Sequence, residues 1–451
     1  MIPPAWRQGE VAVIGLARTG VAATKWLAAR GVPVYASDAA DTADVRAAAA
    51  TLGGIQGGPV SVEVGRHDLD RIRRAAAVIV SPGVPPSAAP VAAARAAGLE
   101  VIAELDLAAR ALAPARLIVV TGTNGKSTTT ALIGHLLTSA GRAAAVGGNI
   151  GRPLIEVAEL VPRPEWVVVE ASSFQLHDAP RLAPAIGVLT NLAPDHQDRY
   201  ASVAEYYADK RLLFRNASRD SVWVLNGDDP AVLELARRAA GRRLRFSLRT
   251  PADAWFDADR SVLVLEGEPL IARERLPLLG QHNVANALAA SLAAAAAGVS
   301  RAVIAGGLAT FRGLPHRLEE VRDVGGVLWI NDSKATNVAS TAVALRAMSR
   351  PYVLIVGGRH KGDPYTPLAA LLAPRCRAIV AYGEAGPVVA RDLGGVCPTR
   401  VVIPFDEAVR TAASLARPGD VILLSPACSS FDQFTNYEER GAVFRRLAEA
   451  W

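Results

Sequence analysis

Short apolar runs alternate with longer stretches of helical periodicity along most of the chain. Near the amino terminus these runs are "EVAVIG", "VPVYAS" and "AAAVIVS", and residues typical of turns follow each of them. Apolar runs of this length predict strands that are buried on both faces. Gly31 and Gly141 follow two of the intervening helical stretches, in a position where glycine commonly ends a helix. Strands alternating with helices predict an α/β fold with parallel sheets.

The alternation starts afresh twice, which predicts three domains. A second set of strands begins with "RLIVVTG" and continues through "WVVVEASS", "AIGVLTNLA" and "SVWVLNGDD". A third set follows "RGLPHRLE" and comprises "GGVLWINDS", "YVLIVGG", "AIVAYG" and "DVILLSPA". The length of 451 residues also exceeds what one ordinary core accommodates. We predict a Rossmann-like domain over 1–104, a central P-loop ATPase-like domain over 105–313, and a second Rossmann-like domain over 314–451.

Composition narrows the class of protein. Hydrophobic residues make up 51% and charged residues 20%, and the apolar excess is mostly alanine, which favours helices over membrane spans. "MIPPAWRQGE" lacks the pattern of a secretory signal, and the three cysteines show no metal or redox spacing. A net charge of +6 with scattered arginines suits an enzyme that binds anionic metabolites. We therefore predict a cytoplasmic enzyme with neither nucleic acid nor membrane as a partner.

The segment "VTGTNGKSTTT" predicts a site for a nucleoside triphosphate. A strand leads into a glycine turn, and a lysine and a serine open the helix that follows. Glycines let backbone N–H groups approach phosphates, the helix N-terminus favours negative charge, and serine can bind magnesium. The spacing departs from the common motif, because Val120 stands six positions before Lys126. The predicted phosphate-binding residues are Gly122, Thr123, Asn124, Gly125, Lys126, Ser127 and Thr128.

The amino-terminal "GLARTG" matches a dinucleotide fingerprint less closely. It lies between a strand and a helix, but Ala17 stands where the fingerprint has its middle glycine. Asp38 ends the next strand, where a contact with a ribose is expected. The pattern leaves three interpretations open: a dinucleotide, another ligand that carries a diphosphate, or packing alone.

Eight segments together resemble the Mur ligase family in order and spacing, across all three predicted domains. They are "TGTNGKST", "GGNIG", "VEASSFQL", "NLAPDHQDRY", "GQHNVANALAA", "RGLPHRLE", "NDSKATN" and "SPACSSFDQF". The last two distinguish this chain from members that add alanine, meso-diaminopimelate or D-Ala-D-Ala. The resemblance implies a first domain that binds UDP, a central domain that binds ATP and a third that binds the amino acid.

The resemblance also implies a reaction. The carboxylate of UDP-N-acetylmuramoyl-L-alanine attacks the γ-phosphate of ATP, and the amine of D-glutamate then attacks the acyl phosphate. This reaction belongs to peptidoglycan precursor synthesis, and the resemblance implies ATP and two Mg²⁺ ions as cofactors of a monomer. Such chemistry depends mainly on positioning and on neutralising charge around the phosphoryl group.

Residue by residue, the resemblance assigns four groups of side chains. The predicted catalytic and metal-binding residues are Lys126, Ser127, Glu170, His196 and Lys210. The predicted further ATP contacts are Asn283, Arg317 and Asp332. The predicted contacts of the UDP-muramoyl substrate are Gly15, Leu16, Thr19, Asp38, Ser81, Gly83 and Asn149. The predicted D-glutamate pocket comprises Lys334, Thr336, Lys361, Ser430, Phe431 and Tyr437. Where close relatives carry Thr-Arg after the acidic residue, this chain has Ala39 and Ala40, which leaves the contacts to uracil open.

Lysine is rare in this chain, and its positions add to the prediction. Only five of the 49 basic residues are lysines, and four of these lie in segments tied to catalysis. Lys25 is the exception. Unlike a guanidinium, an amine can lose its proton and attack carbon dioxide, which gives a negatively charged carbamate with oxygens suited to magnesium. The resemblance implies this modification at Lys210, beside the second metal.

Four alternatives compete with this prediction. A nucleotide-dependent oxidoreductase would explain the first domain but would not require the phosphate loop "GTNGKST". An inactive scaffold should have lost one of the residues Lys126, Glu170, His196 or Lys210, and all four are present. Folylpolyglutamate synthase shares the phosphate loop but is not expected to carry "SPACSSFDQF". A variant that uses L-glutamate also remains open.

Overall fold

The computed structural model describes residues 2–195 and 199–451. Contacts between residues divide the chain into two compact units. The first comprises Met1–Leu276 and Ala285–Ala309, and the second comprises Pro277–Val284 and Thr310–Trp451. The first unit contains two sheets and the second contains one. The three-domain boundaries at residues 104 and 313 stay a prediction.

The first sheet has five parallel strands in the order β3-β2-β1-β4-β5. The strands are β1 (Val11–Ile14), β2 (Val34–Asp38), β3 (Val60–Val64), β4 (Ala77–Val80) and β5 (Val101–Ala103). The helices are α1 (Pro4–Gln8), α2 (Arg18–Ala28), α3 (Ala43–Ala50), α4 (Leu69–Arg73), α5 (Ala89–Ala96) and α6 (Glu104–Leu112). The strand order reverses between β1 and β4, and ligands of such sheets bind in the crevice at that point.

The second sheet has nine strands in the order β14-β13-β12-β11-β10-β9-β6-β8-β7. They are β6 (Arg116–Thr121), β7 (Ala144–Gly148), β8 (Trp166–Glu170), β9 (Ile186–Leu189), β10 (Val222–Asn226), β11 (Arg242–Ser247), β12 (Ala254–Asp257), β13 (Val262–Leu265) and β14 (Glu268–Ala272). The pairs β12–β13 and β13–β14 are antiparallel, and the other pairs are parallel. β6 and β8 are central because their apolar residues are buried on both faces.

In the described part of the chain, seven α-helices lie between β6 and β15. The helices are α7 (Lys126–Ser139), α8 (Leu154–Val157), α9 (Ser173–His177), α10 (Val203–Arg211), α11 (Pro230–Ala236), α12 (Gln281–Ala296) and α13 (Arg301–Thr310). One hydrophobic core runs through the first unit and includes apolar residues of α2, α6, α8 and the strands of both its sheets. The two sheets of this unit are therefore held by a shared core.

The third sheet, in the second unit, has six strands in the order β15-β16-β20-β17-β18-β19. They are β15 (Glu319–Val324), β16 (Val327–Asn331), β17 (Tyr352–Gly357), β18 (Cys376–Tyr382), β19 (Thr399–Val402) and β20 (Val421–Leu424). The helices are α14 (Val338–Ala347), α15 (Ala369–Leu372), α16 (Gly386–Leu393), α17 (Phe405–Leu415) and α18 (Tyr437–Glu449). β15 is antiparallel to β16, and the other pairs are parallel. The parallel arrangement brings the carboxyl ends of β16, β20 and β17 to one edge.

Over residues 2–195 and 199–451, none of the helices combines the length and the apolar character that a membrane span requires. Cys376, Cys397 and Cys428 all have free thiols.

Candidate active site

The predicted phosphate loop lies between the end of β6 and the start of α7. Gly122 and Gly125 have φ angles of 145° and 81°, which side chains other than glycine rarely adopt. A Cβ atom at Gly122 would lie 2.0 Å from Thr190 Oγ1, and one at Gly125 would lie 2.3 Å from Asn286 Oδ1. Both glycines are thus required for conformation and for space. The loop keeps its shape because neighbouring polar side chains pack directly against its backbone.

Two of these neighbours, Thr190 and Asn191, were not selected from the sequence. Thr190 Oγ1 donates a hydrogen bond of 2.6 Å to the carbonyl of Asn124. Asn191 accepts from the Asn124 N–H at 2.9 Å and donates to its carbonyl at 3.0 Å. Both residues follow β9, which is adjacent to β6 in the sheet, so the sheet order places them beside the loop. Their position after a buried strand is the only sequence signal that could have indicated this role.

Lys126 and Lys210 converge on one carbonyl oxygen of the loop. Lys126 Nζ donates to the carbonyls of Gly122 at 3.0 Å and Thr123 at 2.8 Å. Lys210 Nζ donates to the Gly122 carbonyl at 2.8 Å and lies 4.6 Å from the ring centroid of Tyr206. Lys210 is only 1% exposed. Two ammonium groups are thus held near each other where an anion could neutralise both.

The surroundings of Lys210 change its protonation. Burial, above all, and then the positive charge of Lys126 lower the pKa of the Lys210 amine to about 7. The charges of Asp195, Asp209 and Glu170 act in the opposite direction but do not cancel these effects. A substantial fraction of the amine is therefore unprotonated near neutral pH.

Glu170 ends β8 beside the phosphate loop and is only 2% exposed. Its Oε1 atom accepts a hydrogen bond of 2.9 Å from Asn149 Nδ2. Its Oε2 atom is buried and has no hydrogen-bond donor among the residues that the structure describes. A buried carboxylate oxygen without a donor is unfavourable unless a cation binds it, and oxygen ligands of this kind suit Mg²⁺. The structure therefore brings together Asn149, Glu170 and the phosphate loop.

Ser127 is the second residue of α7 and is buried, at the position where a P-loop hydroxyl binds magnesium. The predicted ligand His196 lies outside the described residues. Within the described ranges, no group of three or more His, Cys, Asp or Glu side chains is arranged to hold a metal ion. Glu170 and Ser127 are the described residues whose chemistry fits Mg²⁺ at this site.

The predicted UDP-binding residues of the first domain lie together at the carboxyl ends of β1, β2 and β4. Ser81 Oγ donates to the Gly15 carbonyl at 2.9 Å, and Thr19 Oγ1 donates to Ser81 Oγ at 3.4 Å. Asp38 accepts hydrogen bonds from the N–H groups of Leu16 at 2.8 Å and Ala40 at 2.9 Å. Asp38 therefore shapes the loop, and any bond to a ribose would share an oxygen that already accepts one. Gly83 follows in the turn after Ser81.

In the second unit, a buried arginine joins the two motifs of the predicted D-glutamate pocket. Arg440 is fully buried and donates to the carbonyls of Ser333 at 2.8 Å and Cys428 at 3.2 Å. Lys334 Nζ donates to Tyr437 Oη at 2.8 Å. The sequence analysis missed Arg440, although its place one turn after Tyr437 on α18 is a signal that it faces the same segments. "NDSKATN" and "SPACSSFDQF" are thus fixed next to each other.

The other predicted residues of this unit differ in exposure. Ser430 is buried, whereas Phe431 is 59% exposed and Lys361 is exposed. Thr336 is half-buried and lies in the same segment as Lys334. These positions leave the side chains of Phe431 and Lys361 accessible to a ligand.

The predicted ATP contacts Asn283, Arg317 and Asp332 also belong to the second unit. Asp332 accepts from Ser425 Oγ at 2.9 Å and from the Leu318 N–H at 3.2 Å. Burial raises the pKa of the Asp332 carboxyl group to about 7, although Arg317 and Arg440 lower it. Asn283 Nδ2 donates to the Leu279 carbonyl at 2.8 Å.

Fold and site together define an ATP-dependent ligase that forms amide bonds, as three family models show. The chain matches the Mur ligase MurD-like N-terminal domain over residues 9–103, the Mur ligase middle domain over 120–294, and the Mur ligase glutamate ligase domain over 316–428. The chain belongs to the Mur ligase family. The predicted resemblance, the α/β fold and the enzyme class are confirmed.

Curated relatives match nearly the whole chain. One from Geotalea uraniireducens is 41% identical over 444 residues and covers 98% of this chain and 97% of the relative. Another from Anaeromyxobacter dehalogenans is 42% identical over 470 residues, with 99% of both chains covered. Both relatives are named UDP-N-acetylmuramoylalanine–D-glutamate ligase.

Solved structures support the fold alone, because their sequence identities are low. The UDP-N-acetylmuramate-alanine ligase MurC of Thermotoga maritima has a TM-score of 0.63 at 18% identity, and the alignment covers 98% of this chain and 99% of MurC. MurF of Acinetobacter baumannii has a TM-score of 0.64 at 18% identity, with 96% and 93% covered. The fold of this chain is that of the Mur ligases.

Proposed function

We propose that this ligase joins D-glutamate to UDP-N-acetylmuramoyl-L-alanine with hydrolysis of ATP, as a cytoplasmic monomer in peptidoglycan precursor synthesis. The observation that carries the proposal is the match of almost the entire chain, at 41% identity, to a relative named for this reaction. The segments "NDSKATN" and "SPACSSFDQF", which Arg440 holds together, support D-glutamate as the amino acid.

The proposed reaction has two chemical steps. A carboxylate oxygen of the substrate attacks the γ-phosphorus, the bond to the leaving ADP oxygen breaks, and an acyl phosphate forms. The D-glutamate amine then attacks the acyl carbon, loses a proton, and phosphate leaves as the amide forms. In both steps negative charge accumulates on oxygens, so positioned cations and N–H donors dominate catalysis.

The phosphate loop supplies the first of these charges. Lys126 Nζ donates hydrogen bonds to two neutral carbonyls of the loop. When ATP binds, the ammonium group would replace them with a stronger hydrogen bond to the charged γ-phosphate. The backbone N–H groups of the loop, with Thr123, Asn124 and Thr128, complete the proposed phosphate contacts. We assign Asn283 to the adenine, Asp332 to the ribose and Arg317 to ATP.

Magnesium, when bound, neutralises the phosphates and polarises the γ-phosphoryl group. Ser127 and the free Oε2 atom of Glu170 are the described residues that fit it. We propose two ions, held also by His196 and by Lys210 as a carbamate. Asn149 holds Glu170 Oε1, which leaves Oε2 as the oxygen available to a metal.

The nucleotide substrate is proposed to bind along the loops of the first unit. Gly15, Leu16 and Thr19 form the turn after β1, and Ser81 and Gly83 lie beside it. Asp38 keeps this turn in shape and lies where the ribose is expected. Asn149 is assigned to the muramoyl part.

One experiment tests the proposed function directly. The purified chain is mixed with ATP, Mg²⁺ and UDP-N-acetylmuramoyl-L-alanine, and release of phosphate is measured with D-glutamate, L-glutamate or D-aspartate. We expect release with D-glutamate and little with the other two. Release with L-glutamate alone would support the L-glutamate variant. Release with a folate substrate and none with the nucleotide would contradict the proposal.

A second prediction concerns the amino-acid pocket. Lys361→Met should raise the KM for D-glutamate about tenfold to a hundredfold, because a charged hydrogen bond to a carboxylate is lost. The KM for ATP should stay within about threefold of wild type, because the loss is confined to the amino-acid contact. Steady-state kinetics with each substrate varied in turn measures both constants.

Arg359→Met is the matched control for this prediction. Arg359 is also exposed, lies two residues away, and pairs with Glu384 at 3.4 Å. We expect it to leave the KM for D-glutamate unchanged. Equal increases in the two variants would mean that general charge attraction, and no specific contact of Lys361, determines binding.

A further inference from the structure

The residues proposed to bind the nucleotide substrate include no cation. Gly15, Leu16, Thr19, Ser81, Gly83 and Asn149 are neutral, and Asp38 is acidic. The diphosphate of a nucleotide sugar carries two negative charges. Backbone N–H groups at the start of α2 offset part of this charge, but binding sites for phosphates usually add arginine or lysine. The charge of the ligand therefore calls for a basic side chain near Gly15 and Ser81.

Arg18 has the required position. It is the first residue of α2 and follows the turn Gly15–Ala17 directly. No side chain caps the start of this helix among the described residues, and the first turn contains no acidic residue. The Arg18 side chain is exposed, and Nη2 donates a hydrogen bond of 2.6 Å to the carbonyl of Gly151.

The partner of Arg18 lies on the loop that carries Asn149. Gly151 is two residues beyond Asn149, which is proposed to contact the muramoyl part of the same substrate. The guanidinium thus spans two loops that lie 133 positions apart in the sequence and that bind different parts of one ligand. The diphosphate of a nucleotide sugar joins the uridine to the sugar, so it must lie between the residues that bind these two parts.

The Asn149 loop is anchored without Arg18. The Asn149 N–H donates to the Glu170 carbonyl at 2.9 Å. Further along the chain, the Glu104 carboxylate accepts from the Ile155 N–H at 2.6 Å. Arg30, which lies just beyond the C-terminal end of α2, forms an ion pair of 2.6 Å with Glu159. The loop and α2 are therefore held together by other contacts. The hydrogen bond described for Arg18 uses one of the five N–H groups of a guanidinium.

We infer that Arg18 is a substrate-binding residue whose guanidinium binds the diphosphate of the nucleotide sugar while Nη2 remains on the Gly151 carbonyl. This inference rests on the proposed function and adds a residue to its site. The planar guanidinium can offer two parallel N–H groups to phosphate oxygens. Binding of the diphosphate then ties the loop of Asn149 to the turn of Gly15, which orients the muramoyl carboxylate relative to Glu170.

The inference is tested by calorimetric titration of the whole chain with UDP and with uridine. Arg18→Met should weaken UDP binding about tenfold to a hundredfold, since a charged hydrogen bond to phosphate is lost. Uridine binding should be the same in the variant and in wild type. Lys25→Met is the matched control, because it removes the same charge from an exposed position on the same helix. Lys25→Met should change UDP binding by less than about twofold, because solvent and salt largely screen an exposed charge on a later turn of α2 from the diphosphate.

Kinetics separates this inference from the proposed function. In Arg18→Met, the KM for the nucleotide substrate should rise about tenfold or more while kcat and the KM for ATP stay within about threefold. Arg18→Lys should recover part of the UDP affinity, which a loss of folding could not explain. Equal UDP affinity in Arg18→Met and Lys25→Met would overturn the inference even if wild type is an active ligase. Absence of both UDP binding and turnover in wild type would overturn the proposed function and the inference with it.

Discussion

Lys126→Ala is expected to lower turnover by about a hundredfold to a thousandfold, which is the usual effect of removing one preorganised donor from a developing oxyanion. In the structure the Lys126 ammonium lies on the carbonyls of Gly122 and Thr123, at the start of α7. Its loss removes a full positive charge from the place where the transferring phosphoryl group gains negative charge. The neighbouring Lys210 cannot replace it, because burial reduces the positive charge of that amine.

The measurement is single-turnover formation of the acyl phosphate at saturating ATP, with Lys25→Ala as the control. Lys25 is exposed on α2, so the same chemical change should leave turnover unaltered. Thermal unfolding should be similar in both variants, since the hydrogen bonds of Lys126 to two carbonyls are worth only about 1 kcal/mol each. Near-normal turnover in Lys126→Ala would show that "GTNGKST" is not the site of phosphoryl transfer.

Much of the fold was predictable because the central strands are apolar on both faces. The runs that contain β1, β6, β8, β9 and β17 are such strands, and each of them is bounded by glycine or polar residues. The ends of two helices could also be predicted from glycine. Gly31 and Gly141 follow α2 and α7 with φ angles of 75° and 71°, as expected for glycines that end helices.

Edge strands gave weaker signals. The sequence analysis selected no strand at β3 or at β14, and both lie at the edge of a sheet. β3 reads "VSVEV" and is half-buried throughout, while β14 reads "EPLIA" and begins with exposed residues. An edge strand is covered on fewer sides, so it needs fewer apolar residues and resembles a loop in sequence. The antiparallel pairing of β13 with β14 was missed as well, although β13 lies inside the sheet and is mostly buried, so its omission does not follow from an edge position.

The residues of the candidate site also fall into those that the local sequence predicted and those that it did not. Lys126 and Glu170 were predictable because they stand directly after strands or glycine turns, where chemistry is expected in α/β folds. Thr190, Asn191 and Arg440 were missed, because their partners Asn124, Ser333 and Cys428 are distant in sequence. Only the order of strands in the sheet, or the packing of α18, brings these residues to the site. The local sequence pattern contains no information about strand order or helix packing.

The environment of Lys210 gives physical support to a carbamate at this position. The amine is buried, and its hydrogen bond goes to a neutral carbonyl, that of Gly122. The negative charges of Asp195, Asp209 and Glu170 only partly offset the effect of burial on its pKa. A carbamate would place negative charge near Lys126 and the proposed metal site, whereas the ammonium form of Lys210 would repel both cations. The reaction joins the free amine to carbon dioxide through a new N–C bond and releases one proton.

Carbamate formation should depend on pH in a defined direction. Only the unprotonated amine attacks carbon dioxide, and the pKa of Lys210 is lowered to about 7. At a fixed concentration of dissolved carbon dioxide, the modified fraction should therefore rise as pH increases through about 7 and fall below it. Carbon-13 NMR of the chain in labelled carbon dioxide follows this fraction. An amide-like carbamate signal that is absent from Lys210→Ala would identify the residue.

The largest and most specific effect is expected from Lys210 variants. Lys210→Ala should lose about a thousandfold in turnover, since the variant lacks the carbamate that we propose as a ligand of the second metal at the phosphoryl-transfer site. Formate or acetate should restore part of this activity, because a small carboxylate can occupy the space of the missing side chain and supply oxygens of the same charge. Lys210→Arg should be equally inactive and should not respond, because its guanidinium stays charged, cannot form a carbamate and fills the space. Lys25→Ala with the same carboxylates controls for general effects of the salts. Normal turnover in Lys210→Arg would rule out the carbamate, because an arginine can reproduce only the positive charge of the lysine.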